Sequence, residues 1–201
     1  MSAPVGVVGG GSFGRGLATA AAARGQSVLL WSRRASDGAP PGVEATSDIE
    51  RLAACELIFV SVPSMHVPTV APRLGAHLDG RHLLVHVSRG LIGEELQTVC
   101  RHLAATTPAR RVGCLAGPIH PEVLAEGVPG GGVVGTGFPE VAAAVREAIG
   151  GAQLRLYESS DTVGVEVASA MVGLLALAAG FALETQISPA ALAVMMNRGL
   201  A

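Results

Sequence analysis

Residues 5–14 read VGVVGGGSFG, an apolar run followed at once by glycines with the spacing G-x-G-x-x-G. The apolar run predicts a buried strand, and the residues after the glycines predict a helix. In this setting Gly9 permits a tight turn, Gly11 lets backbone approach a pyrophosphate, and Gly14 lets the helix pack closely on the strand. The helix N-terminus adds amide donors and the positive end of a dipole. The stretch predicts a βαβ unit that binds a dinucleotide; the alternative is a glycine-rich turn without a ligand.

The rest of the chain alternates short apolar runs with longer segments of helical periodicity, a pattern typical of a parallel sheet covered by helices. We therefore expect an α/β fold, with a Rossmann-type doubly wound, mostly parallel sheet followed by a short all-helical C-terminal segment. Strands are expected at Val5–Val8, Ser27–Trp31, Leu57–Val62, His82–Val87, Val112–Ala116, Gly132–Gly135 and Gln153–Leu156. Helices are expected near Phe13–Arg24, Ser47–Ala54, Met65–His77, Glu94–Ala104, Pro121–Glu126 and Pro139–Ile149. The stretch Ala39–Val43 contains two adjacent prolines and predicts a loop between the second strand and the next helix.

The pattern changes near residue 157, which suggests two units. We place a dinucleotide-binding domain at residues 1–157 and a helical segment at residues 158–201. One long helix is expected over Asp161–Glu184. Ser188-Pro189 then predicts the start of a last helix, with the serine as its cap and the proline at its first position.

The long helix contains Val167–Leu183, seventeen residues without a charge. That length is at the lower edge of what spans a bilayer. The run is rich in Ala and Gly and has no basic flanks, so a buried core or interface helix is favoured over a membrane span. We expect no membrane partner.

The basic residues are unusual, because all fourteen are arginine and none is lysine. Schiff-base chemistry and lysine acid–base catalysis are therefore excluded, since a guanidinium stays protonated in proteins. The net charge is −2 with neutral histidines, and neither sign forms long runs, so no nucleic-acid partner is expected. The first residues lack the basic region of a signal peptide, which favours a cytoplasmic location.

The spacing of cysteines and histidines gives no indication of a metal site. Cys55, Cys100 and Cys114 are odd in number and widely spaced, which favours reduced structural thiols. His82 and His86 fall on one face of a predicted strand, but a zinc site needs three or four ligands and no third candidate is near in sequence. We expect no bound metal, and a structural or surface role for both histidines.

The end of the second predicted strand indicates which dinucleotide is bound. It reads LWSRR at residues 30–34, without an acidic residue. Enzymes that use NAD usually place Asp or Glu there to accept from the ribose 2′-hydroxyl, whereas arginine suits the 2′-phosphate of NADP. We therefore predict NADP(H) in preference to NAD(H), bound by Arg33 and Arg34. The alternative is two solvated arginines, one of which stacks on the adenine.

Seven short motifs occur in order along the chain. They are GGGSFGRGLA at residues 9–18, W-x-R at 31–33, VSVPS at 60–64, SRGL at 88–91, AGP at 116–118, D-x-x-GVE at 161–166 and NRGL at 197–200. In this combination the chain resembles the NAD(P)-dependent glycerol-3-phosphate dehydrogenase family over essentially its whole length. The resemblance implies a Rossmann cofactor domain followed by a helical substrate domain. In the family that domain continues past the position of Ala201 and holds the phosphorylated substrate, so we expect this chain to carry only its beginning.

The resemblance places several residues at a cofactor site. Ser12, Phe13 and Arg33 fall where the family contacts the dinucleotide, and Pro63 falls in the loop beside the nicotinamide. Arg89 stands where the family has a lysine that is shared between cofactor and substrate, so a cation is retained there. Together with the glycine loop and the second arginine of the LWSRR stretch, these residues form the expected cofactor site.

The position of the family's catalytic lysine holds an apolar residue. In the family this lysine lies in a GVELGGALKN run, and this chain reads GVEVASAMVG at residues 164–173, with Val172 at the lysine position. A lysine there polarises the carbonyl and exchanges a proton as hydride moves, a contribution of about 10²–10⁴ in rate. His120, in the loop that borders the nicotinamide, is the first candidate to replace it, beside Arg89, and His66 is the second. The alternative for His120 is an ordinary loop histidine.

Two functions from different classes follow from this pattern. The first is an NADP(H)-dependent reductase or dehydrogenase that acts on a small carbonyl or imine substrate. The second is a catalytically inactive dinucleotide-binding or protein-interaction module, which Val172 favours. A third interpretation, a chain that binds no cofactor, would require the glycine loop to be a relic.

The same substitution makes the long helix apolar on nearly all sides. Met171, Val172, Leu174 and Leu175 lie close together there, and a helix of this kind must be buried against something. We expect an isologous homodimer that pairs through residues 161–201.

Overall fold

The computed structural model describes residues 3–34, 38–126 and 128–200. Within this part of the chain eight strands form one sheet in the order β3-β2-β1-β4-β5-β6-β7-β8. The strands are β1 Val5–Val8, β2 Val28–Trp31, β3 Val43–Thr46, β4 Leu57–Val60, β5 Leu83–His86, β6 Arg111–Ala116, β7 Gly130–Thr136 and β8 Leu154–Ser159. Neighbouring strands are parallel throughout, except that β6 and β7 are antiparallel. The predicted doubly wound, mostly parallel sheet is confirmed.

Seven α-helices accompany these strands in the described residues. They are α1 Ser12–Ala23, α2 Val67–Gly75, α3 Val99–Thr106, α4 Pro121–Glu126, α5 Pro139–Ile149, α6 Thr162–Glu184 and α7 Pro189–Leu200, with short 3₁₀ segments at Ile49–Ala54 and Ser64–His66. The predicted bounds of α4 and α5 are confirmed. Helix α1 begins and ends one residue earlier than predicted, and α6 begins one residue later. The segment expected as a helix at Ser47–Ala54 is a 3₁₀ segment instead.

The central strands are buried on both faces, which explains why they are continuous apolar runs. In β4, Leu57 and Phe59 pack with α1 and α5 on one face, whereas Ile58 and Val60 pack on the other with residues of α2 and α3. Two separate hydrophobic cores therefore cover the two sides of the sheet, and successive side chains of a strand alternate between them.

Strand β3 was not predicted. It pairs in parallel with β2, with Val43 opposite Val28 and Thr46 opposite Trp31. The expectation that Ala39–Val43 leads from the second strand to a helix is wrong, because the chain enters this edge strand first. The sequence VEAT gives little signal, since an edge strand of four residues is buried at only one position, Thr46.

Helix α3 begins later than the predicted start at residue 94. The stretch before it folds into a tight turn in which Ile92 and Gln97 exchange backbone hydrogen bonds, of 2.8 and 2.9 Å. Leu96 adopts a positive φ of 50° within this turn, a conformation that a helix does not allow. Thr98 then caps the helix, its hydroxyl accepting from the amide of Arg101.

Helix α6 packs on β6, β7 and α7. Asp161 caps it, with the carboxylate accepting from the amide of Gly164 at 2.8 Å. Of its described residues only Glu166 and Ala182 are buried, so the described part of the chain does not provide the expected burial of this helix. By length and composition α6 could cross a membrane.

Candidate dinucleotide-binding site

The three motif glycines have three different surroundings. Gly9 adopts a φ of +116°, and a Cβ there would lie 2.3 Å from the carbonyl oxygen of Ser61. A Cβ on Gly14 would lie 1.9 Å from the carbonyl oxygen of Gly9, so only glycine lets α1 approach β1 this closely. A Cβ on Gly11, in contrast, would meet no protein atom within 4 Å. The space in front of Gly11 is therefore the open part of the site.

The N-terminus of α1 points into this space. Gly11 is its cap residue, with φ −69° and ψ 174°, and it supplies no side chain to accept from the first amides of the helix. The first turn carries no acidic residue either. Uncapped amides at the positive end of a helix dipole are suited to a phosphate group.

One cleft opens on the β2 side of the glycine loop. Its volume is about 510 Å³, and it lies at the carboxyl ends of β1, β2 and β4, where the strand order reverses. Its lining includes Gly9, Gly11, Arg33, Arg34 and Pro63. Among the described residues that line it, none is acidic and four are arginines. The electrostatics of this β2-side cleft favour an anion.

Two of these arginines were not predicted as site residues. The guanidinium of Arg73 lies over the ring of Trp31, 5.9 Å from its centroid, and Trp31 is itself fixed because its indole nitrogen donates to the carbonyl of Ser47 at 3.0 Å. Arg15 donates to the carbonyl of Gly38 at 2.5 Å. Arg15 could have been proposed from its place directly after the motif, whereas Arg73 reaches the cleft only through the packing of α2.

A second cleft opens on the β5 side of the loop. It has a volume of about 390 Å³ and lies between the N-terminus of α1 and the ends of β4, β5 and β6. Ser12, Phe13, Arg89 and His120 line it, as does Ser169 from α6. The two clefts share Gly11, Ser61, Val62 and Pro63, so they form one continuous groove across the glycine loop.

The groove gathers every residue that was predicted for the cofactor site. The β2-side cleft holds the two strand-end arginines, the β5-side cleft holds Arg89, and the glycine loop lies between them. His120 is exposed and lies in the same cleft as Arg89. His66 lines the other cleft, so the two histidine candidates do not belong to one centre.

Val172 lies beyond the α6 residue that reaches the β5-side cleft. Ser169 lines the cleft, and Val172 follows one helical turn later with 48% of its side chain exposed. An apolar residue at this position supplies neither a charge nor a proton to the cleft.

His82 and His86 are both buried, so a surface role is wrong for either. His82 precedes β5, and its Nδ1 lies 3.0 Å from the carboxylate of Asp79. That carboxylate also accepts from the amide of Arg81, and this hydrogen bond is the main reason that the pKa of Asp79 is lowered. His82 therefore has a structural role at the start of β5. His86 lies beside Cys100, Cys114 and Glu166.

A sequence model of the family described as "NAD-dependent glycerol-3-phosphate dehydrogenase N-terminus" matches residues 37–142, more than half of the chain. The chain belongs to this family. It is a glycerol-3-phosphate-dehydrogenase-like NAD(P)-binding domain, and the family membership supports the assignment of the groove to a dinucleotide.

Curated relatives in this glycerol-3-phosphate dehydrogenase family match nearly all of the chain. Glycerol-3-phosphate dehydrogenase [NAD(P)+] of Pseudomonas fluorescens is 32% identical over 216 residues, which cover 98% of this chain and 61% of the relative. The second such enzyme of Salinibacter ruber is 34% identical over 222 residues, covering 100% and 64%. The chain thus spans less than two thirds of the length of these relatives.

Solved structures of family members share the fold. Glycerol-3-phosphate dehydrogenase from Coxiella burnetii superposes with a TM-score of 0.87 at 22% identity, covering 98% of this chain and 66% of that one. The enzyme from Saccharomyces cerevisiae gives a TM-score of 0.85 at 17% identity, covering 99% and 68%. Coverage this complete includes α6, so this apolar helix is part of the glycerol-3-phosphate dehydrogenase fold.

Proposed function

We propose that this chain binds NADP(H) along the groove and reduces a small carbonyl or imine substrate in the β5-side cleft. The observation that carries the proposal is the position of Gly11. It lies open between the two clefts, with the amides of α1 behind it and no protein atom in front. A pyrophosphate placed there directs one nucleotide half into each cleft.

The β2-side cleft suits the adenosine half with its 2′-phosphate. Arg33 and Arg34 follow β2 at the position where an acidic residue would select NAD, and both are exposed to the cleft. A guanidinium can form two charge-assisted hydrogen bonds to one phosphate. This arrangement supports NADP(H) as the preferred cofactor.

The β5-side cleft would hold the nicotinamide and the substrate. Hydride transfer to a carbonyl carbon leaves negative charge on the oxygen, which must be stabilised and then protonated. Arg89 supplies a positive charge in this cleft, and His120 is the imidazole there that would act as the proton donor. Together they would take over the two tasks of the family's lysine.

A second function is favoured by Val172. This position lacks the proton carrier of the family. If Arg89 and His120 do not replace that lysine, the chain would be a catalytically inactive dinucleotide-binding or protein-interaction module. The two proposals share the cofactor and differ only in turnover.

Titration with NADPH and with NADH, followed by a turnover assay with dihydroxyacetone phosphate and a panel of small aldehydes, ketones and imines, tests both proposals. Binding of NADPH with substrate-dependent loss of its absorbance supports the reductase. Binding without turnover of any substrate selects the module. If neither dinucleotide binds, both proposals are wrong.

Replacing Arg33 and Arg34 tests the preference for NADP(H) over NAD(H). We expect Arg33→Ala/Arg34→Ala to weaken NADPH by at least about tenfold, ~1.4 kcal/mol, and NADH much less, because only NADPH carries the 2′-phosphate. Isothermal titration calorimetry measures both affinities. Arg101→Ala/Arg110→Ala, which removes the same charge from exposed positions outside the groove, is the matched control. An equal loss for both dinucleotides would refute the 2′-phosphate assignment.

The exposed apolar surface of α6 supports a homodimer through residues 161–201. Leu174, Leu177, Phe181 and Leu183 are 59–75% exposed on this helix. Large contiguous apolar patches mark interaction surfaces in water-soluble domains. A second copy of the helix offers the same apolar surface, so that pairing about a twofold axis would bury both.

A further inference from the structure

Four ionisable side chains meet in the apolar core on the α2/α3 side of the sheet. They are His86 at the end of β5, Cys100 in α3, Cys114 in β6 and Glu166 in the second turn of α6. A ring nitrogen of His86 and the two sulfurs all lie within 4.8 Å of one another. Oε1 of Glu166 lies 2.9 Å from Nε2 of His86 and accepts from the backbone amide of Cys100 at 3.0 Å.

Three polar atoms of this cluster are buried without an aligned hydrogen-bond partner. Only 3% of each side chain of His86 and Glu166 is exposed. Within the described part of the chain, neither ring nitrogen of His86 has an aligned hydrogen-bond partner, and Oε2 of Glu166 has none. Polar groups without partners are destabilising in apolar surroundings. Such groups point to a ligand that the four residues hold in common.

The surroundings of the two thiols shift their pKa values in opposite directions. The hydrogen bond from Cys100, aided by His86, lowers the pKa of Cys114 to about 6, against the opposing effect of burial. The hydrogen bond to Cys114 and burial raise the pKa of Cys100. Gly135 leaves room for the sulfur, since a Cβ there would lie 2.7 Å from Sγ of Cys114. The two sulfurs and the imidazole thus share one enclosed polar cluster.

We propose that His86, Cys100 and Cys114 bind a Zn²⁺ ion, with Glu166 orienting the imidazole. Two thiolates and an imidazole are a typical zinc set. Ligand atoms around tetrahedral zinc lie roughly 3.3–3.8 Å apart, from bond lengths of about 2.0–2.3 Å, so the cluster needs only a small contraction. The contact of Glu166 with the ring gives the carboxylate–histidine–metal arrangement that fixes a ligating histidine.

The proposed zinc site is separate from the groove. Among the described residues that line either cleft of the groove, none belongs to the cluster. The neighbours of the cluster do line the groove: Val87 and Ser88 follow His86, and Leu115 follows Cys114. A metal here would tie β5, β6, α3 and α6 together directly below the β5-side cleft.

The test uses the full chain and Zn²⁺ alone. The reduced protein is stripped with a chelator, and zinc is returned in competition with a chromophoric chelator. We expect one zinc per chain and a higher thermal midpoint with zinc than without it. Co²⁺ in place of zinc should give thiolate-to-metal charge-transfer absorption in the unmodified protein, which reports sulfur ligation without any substitution.

Variants identify the ligands. Glu166→Gln should weaken zinc by about 10- to 100-fold, as expected for the partner of a ligating histidine. Cys100→Ser, Cys114→Ser and His86→Gln should weaken zinc further, and the cysteine variants should reduce the cobalt absorption. Cys55→Ser and His82→Gln are matched controls, because both residues are buried but lie outside the cluster. They should bind zinc as the unmodified chain does.

The proposal is wrong if the reduced chain takes up no stoichiometric zinc or if cobalt shows no sulfur ligation. It is also wrong if Cys100→Ser and Cys114→Ser both fold and both bind zinc with the affinity of the unmodified chain. In a further outcome, the chain binds no zinc and instead forms a Cys100–Cys114 disulfide when peroxide removes two electrons and two protons. That result would overturn the zinc site and identify the two cysteines as a redox-active dithiol.

Discussion

At the scale of single residues, the site depends on what each glycine of the loop excludes or admits. Gly9 and Gly14 are required by the protein itself, because a Cβ at either would overlap a backbone oxygen. Gly11 is required only if something else approaches, since a Cβ there meets nothing in the protein. Gly9 and Gly14 are therefore needed for folding, whereas Gly11 would be needed only for binding a ligand.

This difference predicts opposite outcomes for two alanine substitutions. Gly11→Ala should change the free energy of unfolding by less than about 1 kcal/mol, because its φ of −69° suits alanine. The same change should weaken NADPH at least about tenfold by blocking the pyrophosphate. Thermal denaturation and calorimetry measure the two effects. Gly14→Ala is the comparison, and should destabilise the fold by about 1–3 kcal/mol or more through overpacking. Unchanged NADPH affinity in Gly11→Ala would contradict the proposed position of the pyrophosphate.

At the scale of elements, the start of α6 connects the sheet to the groove. The carboxylate of Asp161 accepts from the amide of Gly164, and a Cβ on Gly164 would lie 2.1 Å from that carboxylate. The D-x-x-G spacing is thus a capping motif in which glycine makes room for the cap. Because Glu166 and Ser169 follow on this helix, the cap also sets the position of the buried cluster and of the cleft wall.

Removing this cap should loosen α6. We expect Asp161→Ala to lower the free energy of unfolding by about 1 kcal/mol, the usual contribution of an N-cap. Asp161→Asn keeps the accepting oxygen and should stay close to the unmodified chain. Denaturant unfolding measures both. Equal loss in the two variants would show that the charge, and not the hydrogen bond, stabilises the helix.

At the scale of the whole molecule, two surfaces remain open. The groove lies where the strand order reverses, which is the usual ligand position in a doubly wound sheet. The apolar side of α6 is the other open surface, and α7 leaves most of it exposed. The proposed dinucleotide would occupy the groove, and the proposed second copy of the chain would cover the apolar side of α6.

The proposed homodimer predicts a change of mass on substitution. The unmodified chain should be dimeric at micromolar concentration by light scattering, and Leu177→Gln/Phe181→Gln should be monomeric, because the two most exposed large apolar side chains of α6 are removed. Met65→Gln replaces an equally exposed apolar residue on another surface and is the control. A monomeric unmodified chain would refute the homodimer.

The glycine loop, the central strands and most helix positions could be predicted from the amino-acid sequence, because turn chemistry and apolar periodicity are local properties. It missed β3, since a four-residue edge strand carries almost no pattern. Only the tertiary structure brought Arg73 to the groove and joined His86, Cys100, Cys114 and Glu166. These contacts depend on which strands are neighbours and which helix faces meet, and spacing along the chain does not encode that for residues this far apart. The exposure of α6 was decided in the same way: its composition required a partner, and the fold showed that this partner is not the rest of the described chain.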